Sequence, residues 1–140
     1  MVRTADAQWN GDLKGGNGTM RLGSGAFEGN FSFKSRMEDG AGTNPEELLG
    51  AAHAGCFSMA LAATLSGAGF VPESVVTHAK VHAGPVEGGF AISKVELQTQ
   101  VKVANIEAPM FFELAEQAKK NCPVSKALTG VEITLDAKMV

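Results

Sequence analysis

A long run of small residues, entered through a well-marked helix start, constrains this chain more than any other feature. Asn44 is a good N-cap, Pro45 suits the first helical position, and Glu47 stands where a capping box wants an acid. No proline interrupts the pattern until Gly67 and Gly69 stop it, so a helix is expected from Pro45 to about Ser66. Ala51, Ala52, Ala54, Gly55, Ala60, Ala62 and Ala63 leave little bulk on any side of it. Such a helix admits close neighbours on several faces, so it should lie centrally, and a second copy of the chain could supply part of the packing. By length, Gly50–Gly69 could pass for a membrane span. Its Ala, Gly, Ser and Thr content, His53 and Cys56 within it, and Glu46 and Glu47 at its entry favour a buried helix of a soluble protein.

The remaining elements flank this helix. Before it, Thr4–Trp9, Thr19–Leu22 and a third stretch with Phe27, Phe31 and Phe33 at even spacing read as strands, separated by the glycines of 15–18 and 23–25. After it, Val75–His82 alternates, with Val75, Thr77, Ala79 and Val81 on one face. Gly84-Pro85 and Gly88-Gly89 read as a hairpin loop. Phe90–Val103 reads as a long strand whose apolar parity slips, which predicts a bulge near Ser93–Lys94. Pro109–Asn121 is amphipathic, with Met110, Phe111, Leu114, Ala115 and Ala118 inward and Glu116 paired with Lys120 outside. Cys122 should cap a short turn or helix begun by Pro123, and Val131, Ile133 and Leu135 mark a last strand. The order β-β-β-α-β-β-α-β indicates an α+β fold, mainly antiparallel, in one domain over 1–140.

A net charge of −3 with no basic run argues against nucleic acid, and 44% apolar content suffices for a core. The first residues carry no apolar leader, so a reducing, cytoplasmic setting is expected, where a structural disulfide is unusual. Cys56 and Cys122 are the two cysteines, too few for a zinc site and not spaced as CxxC. They are either inert buried thiols or a reactive pair. Cys56 falls mid-helix, beyond the reach of the helix dipole, so its thiolate would need a cation. Arg36 is the best placed, although a solvated surface role is the default for a lone arginine. Glu46 and Glu47 suit a first helical turn without any function; Glu47 fits the capping box, leaving Glu46 freer to orient an arginine. His53, three residues before Cys56, makes a Cys–His dyad possible, or else is a hydrogen-bonded core residue. His78 and His82 share one side of a strand, with a solvated face favoured over metal. Cys122, at an N-cap, has first-turn amides to favour its thiolate.

Residues Thr43-Asn44-Pro45-Glu46-Glu47-Leu48-Leu49-Gly50-Ala51-Ala52-His53-Ala54-Gly55-Cys56-Phe57-Ser58-Met59-Ala60-Leu61 resemble the signature of the OsmC/Ohr family. Asn121-Cys122-Pro123-Val124-Ser125 resembles its second signature. Trp9-Asn10-Gly11-Asp12, Gly89-Phe90-Ala91-Ile92 and Glu132-Ile133-Thr134-Leu135 extend the likeness over nearly the whole chain. His53 and the 33–39 stretch place it nearer the OsmC branch. The resemblance implies an intertwined, obligate homodimer and a cysteine-based peroxidase without metal, haem or other cofactor. It makes Cys56 the peroxidatic and Cys122 the resolving cysteine, Arg36 the arginine that favours the thiolate, and Glu46 the glutamate that holds Arg36. It further implies organic hydroperoxides as substrates, ahead of hydrogen peroxide, and an external dithiol such as a lipoyl-bearing protein as reductant. Phe57, Met59 and the Met110–Leu114 stripe are the expected apolar walls of the site. Two rivals remain on the residues alone: a Cys–His hydrolase using His53, and a non-enzymatic stress protein that binds apolar ligands between its subunits.

Overall fold

The computed structural model describes residues 1–140, which divide into two compact units, Met1–Leu48 and Leu49–Val140. In the first, β1 (Ala5–Asn10), β2 (Asn17–Leu22) and β3 (Glu28–Phe31) form an antiparallel sheet in that order. Trp9 and Phe31 flank Gly18 across this sheet, their ring centroids 5.2 Å apart. A Cβ on Gly18 would stand 2.7 Å from the Phe31 ring and 2.9 Å from that of Trp9, so only glycine lets the two rings close over the strand.

The even spacing of Phe27, Phe31 and Phe33 predicts a strand through Phe33, but β3 stops at Phe31. Ser32 caps a short helix, α1 (Phe33–Met37), instead. The Ser32 hydroxyl accepts the Ser35 N–H at 3.2 Å, and the Ser35 hydroxyl accepts the Ser32 N–H at 2.8 Å. This reciprocal cap satisfies two amides that the end of the strand would otherwise leave unpaired.

Helix α2 (Pro45–Gly67) begins where expected. The Asn44 side chain accepts the Glu47 N–H at 2.8 Å as an N-cap should, while the Glu47 carboxylate turns to the Thr43 hydroxyl at 2.7 Å rather than closing a capping box. In the second unit, β4 (Ser74–Val86) and β5 (Gly89–Lys102) pair antiparallel, and β6 (Glu132–Met139) adds to β5. The β4–β5 turn is tighter than expected: Gly84 and Pro85 belong to β4, and Glu87-Gly88 alone turn the chain, with φ +84° at Gly88. His82 pairs with Lys94 and Ala83 with Ile92, so Ser93 is the extra residue of the expected bulge.

β6 runs parallel to β5, while the other strands pair antiparallel. It arrives after α3 (Ala108–Asn121) and α4 (Pro123–Ala127), and a helical connection of that length is what a parallel return requires. On α3, Phe111, Ala115 and Ala118 are buried, but Met110 lies outside, and Glu116 pairs with Lys119 rather than Lys120.

The core of this unit joins Phe57, Leu61 and Leu65 of α2 to Val95, Leu97 and Val101 of β5 and Phe111, Ala115 and Ala118 of α3. One stripe of α2 is buried: Gly50, His53, Phe57, Leu61 and Leu65, spaced as a single helical face. A Cβ on Gly50 would come within 3.2 Å of the Val81 side chain, so this end of the helix sits close against β4. A chain of hydroxyls, Ser58 to Thr77 at 2.7 Å and Thr77 to Thr99 at 2.9 Å, ties α2 to both strands. Ala52, Gly55, Met59 and Ala63 form the opposite stripe and stay exposed within the single chain, so the helix is central on one side only. Long and apolar enough to cross a bilayer by composition, α2 nevertheless places a hydrogen-bonded histidine and its bulkiest residues in a protein core. Leu97→Ala, at a site with no exposure on the central strand, should lower unfolding free energy by about 2–5 kcal/mol, measured as the shift of the urea midpoint.

Candidate active site

The Cys56 and Cys122 sulfurs lie 3.0 Å apart, both as free thiols. Cys56 is on α2, one residue before the buried Phe57, so its side chain sits at the edge of the buried stripe and keeps partial exposure. Cys122 is wholly buried between α3 and α4. It ends the α3 stripe of Phe111, Ala115 and Ala118 and is the N-cap residue of α4, where Pro123 fills N1 without leaving an amide unpaired. A disulfide needs about 2.05 Å between sulfurs, so the pair needs to close by only about an ångström.

The two thiols share an environment but not a charge preference. Burial pushes Cys122 up, yet its hydrogen bond with Cys56, the Ser125 amide and hydroxyl and the Val124 amide outweigh burial and bring it below the ordinary thiol value. Its side chain closes no full cap bond, but these donors lie near enough to favour the anion. Burial and the same sulfur–sulfur hydrogen bond push Cys56 up, opposed only by the Val124 amide. With one proton between them, the second unit by itself therefore favours the thiolate on the buried sulfur, and the accessible one needs a cation from elsewhere.

The first unit holds the other pair of candidate residues. Arg36 of α1 meets Glu46, in the first turn of α2, by Nε–H at 3.0 Å and Nη2–H at 2.7 Å, both to Oε1. Glu46 is nearly buried and Arg36 about one-third exposed. The segment between them is stitched shut: the Ser35 hydroxyl donates to the Thr43 carbonyl at 2.7 Å, and the Asn44 amide donates to the Ser35 carbonyl at 3.2 Å. Gly42 makes the return with φ +120°, where a Cβ would meet the Asn30 carbonyl oxygen. Next to Arg36, Trp9, Leu13, Phe31, Phe33 and Met37 line an apolar pocket of about 250 Å³.

The sequence candidates therefore fall into two pairs, Cys56 with Cys122 and Arg36 with Glu46. His53 joins neither. It is fully buried, and its Nε2 lies 2.8 Å from the Ser125 hydroxyl, so it forms no dyad with Cys56. Phe57 is core, with no exposure in the single chain. His78 and His82 face outward; His82 pairs with Glu96, and no cluster of metal-ligating side chains exists. Ser125 and the Ser32–Ser35 cap are the residues that sequence reasoning missed. Their signal is the spacing i, i+3 of an N-cap and its N3 partner, present at both Ser32/Ser35 and Cys122/Ser125.

A family profile described as "OsmC-like protein" matches residues 38–136. Over 138 residues, 98% of this chain and 96% of the relative, the chain is 46% identical to "Peroxiredoxin OsmC" of Escherichia coli. It is 35% identical over 98 residues, 69% of this chain and 67% of the relative, to an "Organic hydroperoxide resistance protein" of Xanthomonas axonopodis pv. citri. The crystal structure of the organic hydroperoxide resistance protein OhrB of Bacillus subtilis superposes with a TM-score of 0.73 at 25% identity, covering 96% of this chain and 98% of that one.

Burial lowers the pKa of His53, so the fold holds it neutral. Below the unfolded value of about 6.5, the unfolded chain takes up a proton that the folded chain resists. The stability this site contributes is complete above that value and is lost as pH falls toward the folded pKa. The urea midpoint should therefore drop more between pH 7 and pH 5 in the wild type than in His53→Gln, which has no ring to protonate.

Proposed function

This chain belongs to the OsmC-like family, and on that footing we propose that it is a cysteine-based peroxidase reducing organic hydroperoxides, with Cys56 as the attacking and Cys122 as the resolving thiol. The observation that carries this reading is the 3.0 Å sulfur pair with one partner accessible and the other sealed. Only Cys56 is open to a peroxide, and only a neighbour this close captures its oxidised form before over-oxidation. The Cys56 thiolate attacks the distal oxygen of ROOH; the S–O bond forms, the O–O bond breaks, and RO⁻ leaves and takes the proton released on ionisation of Cys56. The Cys122 thiolate then attacks the sulfur of Cys56–SOH, expelling hydroxide, which takes the proton released on ionisation of Cys122. An external dithiol, with a lipoyl-bearing protein as the candidate, reduces the disulfide by exchange. The setting is the cytoplasm. Alkyl and aryl hydroperoxides are favoured over hydrogen peroxide, because the pocket beside Arg36 can take an apolar tail at about 0.8 kcal/mol per buried CH₂.

The working unit is a homodimer with shared sites. Glu46 and Cys56 are ten residues apart on α2, about 15 Å along its axis, and helical side chains lean toward the N-terminus, away from Cys56 for Glu46. Arg36 is bound to Glu46 of its own chain, so the two travel together. A partner's Arg36–Glu46 pair meeting Cys56 across a two-fold axis resolves the distance. The open stripe Ala52, Gly55, Met59 and Ala63 supplies a small-residue face on which two α2 helices could cross; a Cβ on Gly55 would have nothing within 4 Å, and Met59 is 77% exposed.

One equivalent of cumene hydroperoxide should consume both thiols of the wild type. Cys56→Ser should lose turnover entirely, and Cys122→Ser should reduce one equivalent and stop at oxidised Cys56; wild-type turnover by Cys56→Ser would end the reading. For the shared site, a heterodimer of a Cys56→Ser chain with a Glu46→Gln chain should recover about half the wild-type activity, since the two-fold leaves one complete centre. No recovery above the parent variants would place each site within one chain.

A further inference from the structure

His53 is left without a task by the peroxidase chemistry, yet it is the bulkiest polar side chain in the core of the second unit and has no exposure. Its surroundings define its protonation. Nε2 is 2.8 Å from the Ser125 Oγ, and the buried Nδ1 finds no hydrogen-bond partner. A proton on Nδ1 would be an orphaned buried donor, which folded proteins avoid more strictly than an under-used acceptor. The Nε2–H tautomer instead places the proton on the nitrogen that has an acceptor. Burial keeps the ring neutral, so one such proton is present.

That tautomer has a consequence for Ser125. A hydroxyl has a single proton to donate. Had Nε2 been the acceptor, the Ser125 proton would be spent on the histidine. With Nε2–H donating, Ser125 Oγ accepts from His53, and its own proton is released toward another acceptor. Ser125 is N3 of α4, three residues after the N-cap Cys122, and its hydroxyl helps to bring the Cys122 pKa down. Cys122 is in turn 3.0 Å from Cys56. His53, Ser125, Cys122 and Cys56 thus stand in series from the core to the accessible thiol, with the first two 2.8 Å and the last two 3.0 Å apart.

We propose that His53 is a positioning residue for the resolving thiol: by donating to Ser125 it frees the serine hydroxyl to turn to the Cys122 sulfur, readying that sulfur to attack Cys56–SOH. His53 touches no reacting atom and acts only through Ser125. The proposal rests on the peroxidase reading for its meaning in turnover, but the effect on Cys122 is independent of any peroxide.

The first measurement therefore needs no turnover. In a Cys56→Ser background, Cys122 is the one thiol, and its ionisation is followed by thiolate absorbance near 240 nm. His53→Leu should raise the midpoint of that titration by roughly one unit, as should Ser125→Ala, while His53→Gln, whose side-chain amide also donates, should stay close to the parent. In the Ser125→Ala background, adding His53→Leu should move the midpoint no further. The second measurement keeps both cysteines and follows a single turnover with cumene hydroperoxide. His53→Leu should slow the concentration-independent step of disulfide formation by about tenfold, leave the bimolecular oxidation of Cys56 near the wild-type rate, and be rescued by His53→Gln. An unchanged Cys122 midpoint in His53→Leu, an equal shift in His53→Gln, or further movement by His53→Leu without Ser125 would overturn the proposal. Retention of both thiols by peroxide-treated wild type would instead defeat the peroxidase reading, while the titration still decides the role of His53.

Discussion

The hydrogen bond between two sulfurs is the interaction on which the rest of the second unit depends. Holding two thiols 3.0 Å apart without joining them requires both backbones to be fixed from opposite sides. Cys56 is fixed because its helix cannot rotate: Gly50 is pressed to β4, Ser58 is bonded to Thr77, and Phe57 and Leu61 are locked in the core. Cys122 is fixed because the break between α3 and α4 falls on it, with Pro123 enforcing the break and Phe111, Ala115 and Ala118 anchoring the preceding helix. A protein interior packed to crystal density transmits this rigidity to the sulfurs.

The electrostatics are divided as sharply as the mechanics. Most donors near the pair, the Ser125 amide and hydroxyl above all, favour charge on the buried sulfur, while the Val124 amide acts on both. Within the second unit, burial and the sulfur–sulfur hydrogen bond disfavour the thiolate on Cys56. In the first unit, the Ser32–Ser35 cap and the Ser35–Thr43 bond hold Arg36 against Glu46. A guanidinium already anchored to a carboxylate has a fixed direction, and a fixed dipole acts on a thiolate without first being ordered.

The small-residue helix serves both demands. Its buried stripe carries the large residues, and its opposite stripe carries Ala52, Gly55 and Ala63 around an exposed Met59. Alanine and glycine on the outer face let a second backbone approach, whereas leucines there would enforce distance. The price of this arrangement is an apolar face that a lone chain leaves in water.

Local chemistry was legible wherever residues near in sequence decide it. Asn44-Pro45 started α2, Gly67 ended it, alternation placed Val75, Thr77, Ala79 and Val81 on one face, and slipped parity located the bulge at Ser93. The pairing of Cys56 with Cys122 and of Arg36 with Glu46 was readable as family resemblance, not as geometry. The Ser32 cap was hidden because phenylalanine spacing fits a strand of period two, and a reciprocal hydrogen bond outweighs that pattern over four residues. The parallel pairing of β6 was undecided for a different reason: alternation assigns faces but not direction. Which of two thiols is sealed, and that His53 meets Ser125 rather than Cys56, were decided by tertiary structure alone. Each depends on residues as far apart as His53 and Ser125 becoming neighbours, and a buried polar atom takes whichever partner the packed core brings within 3 Å.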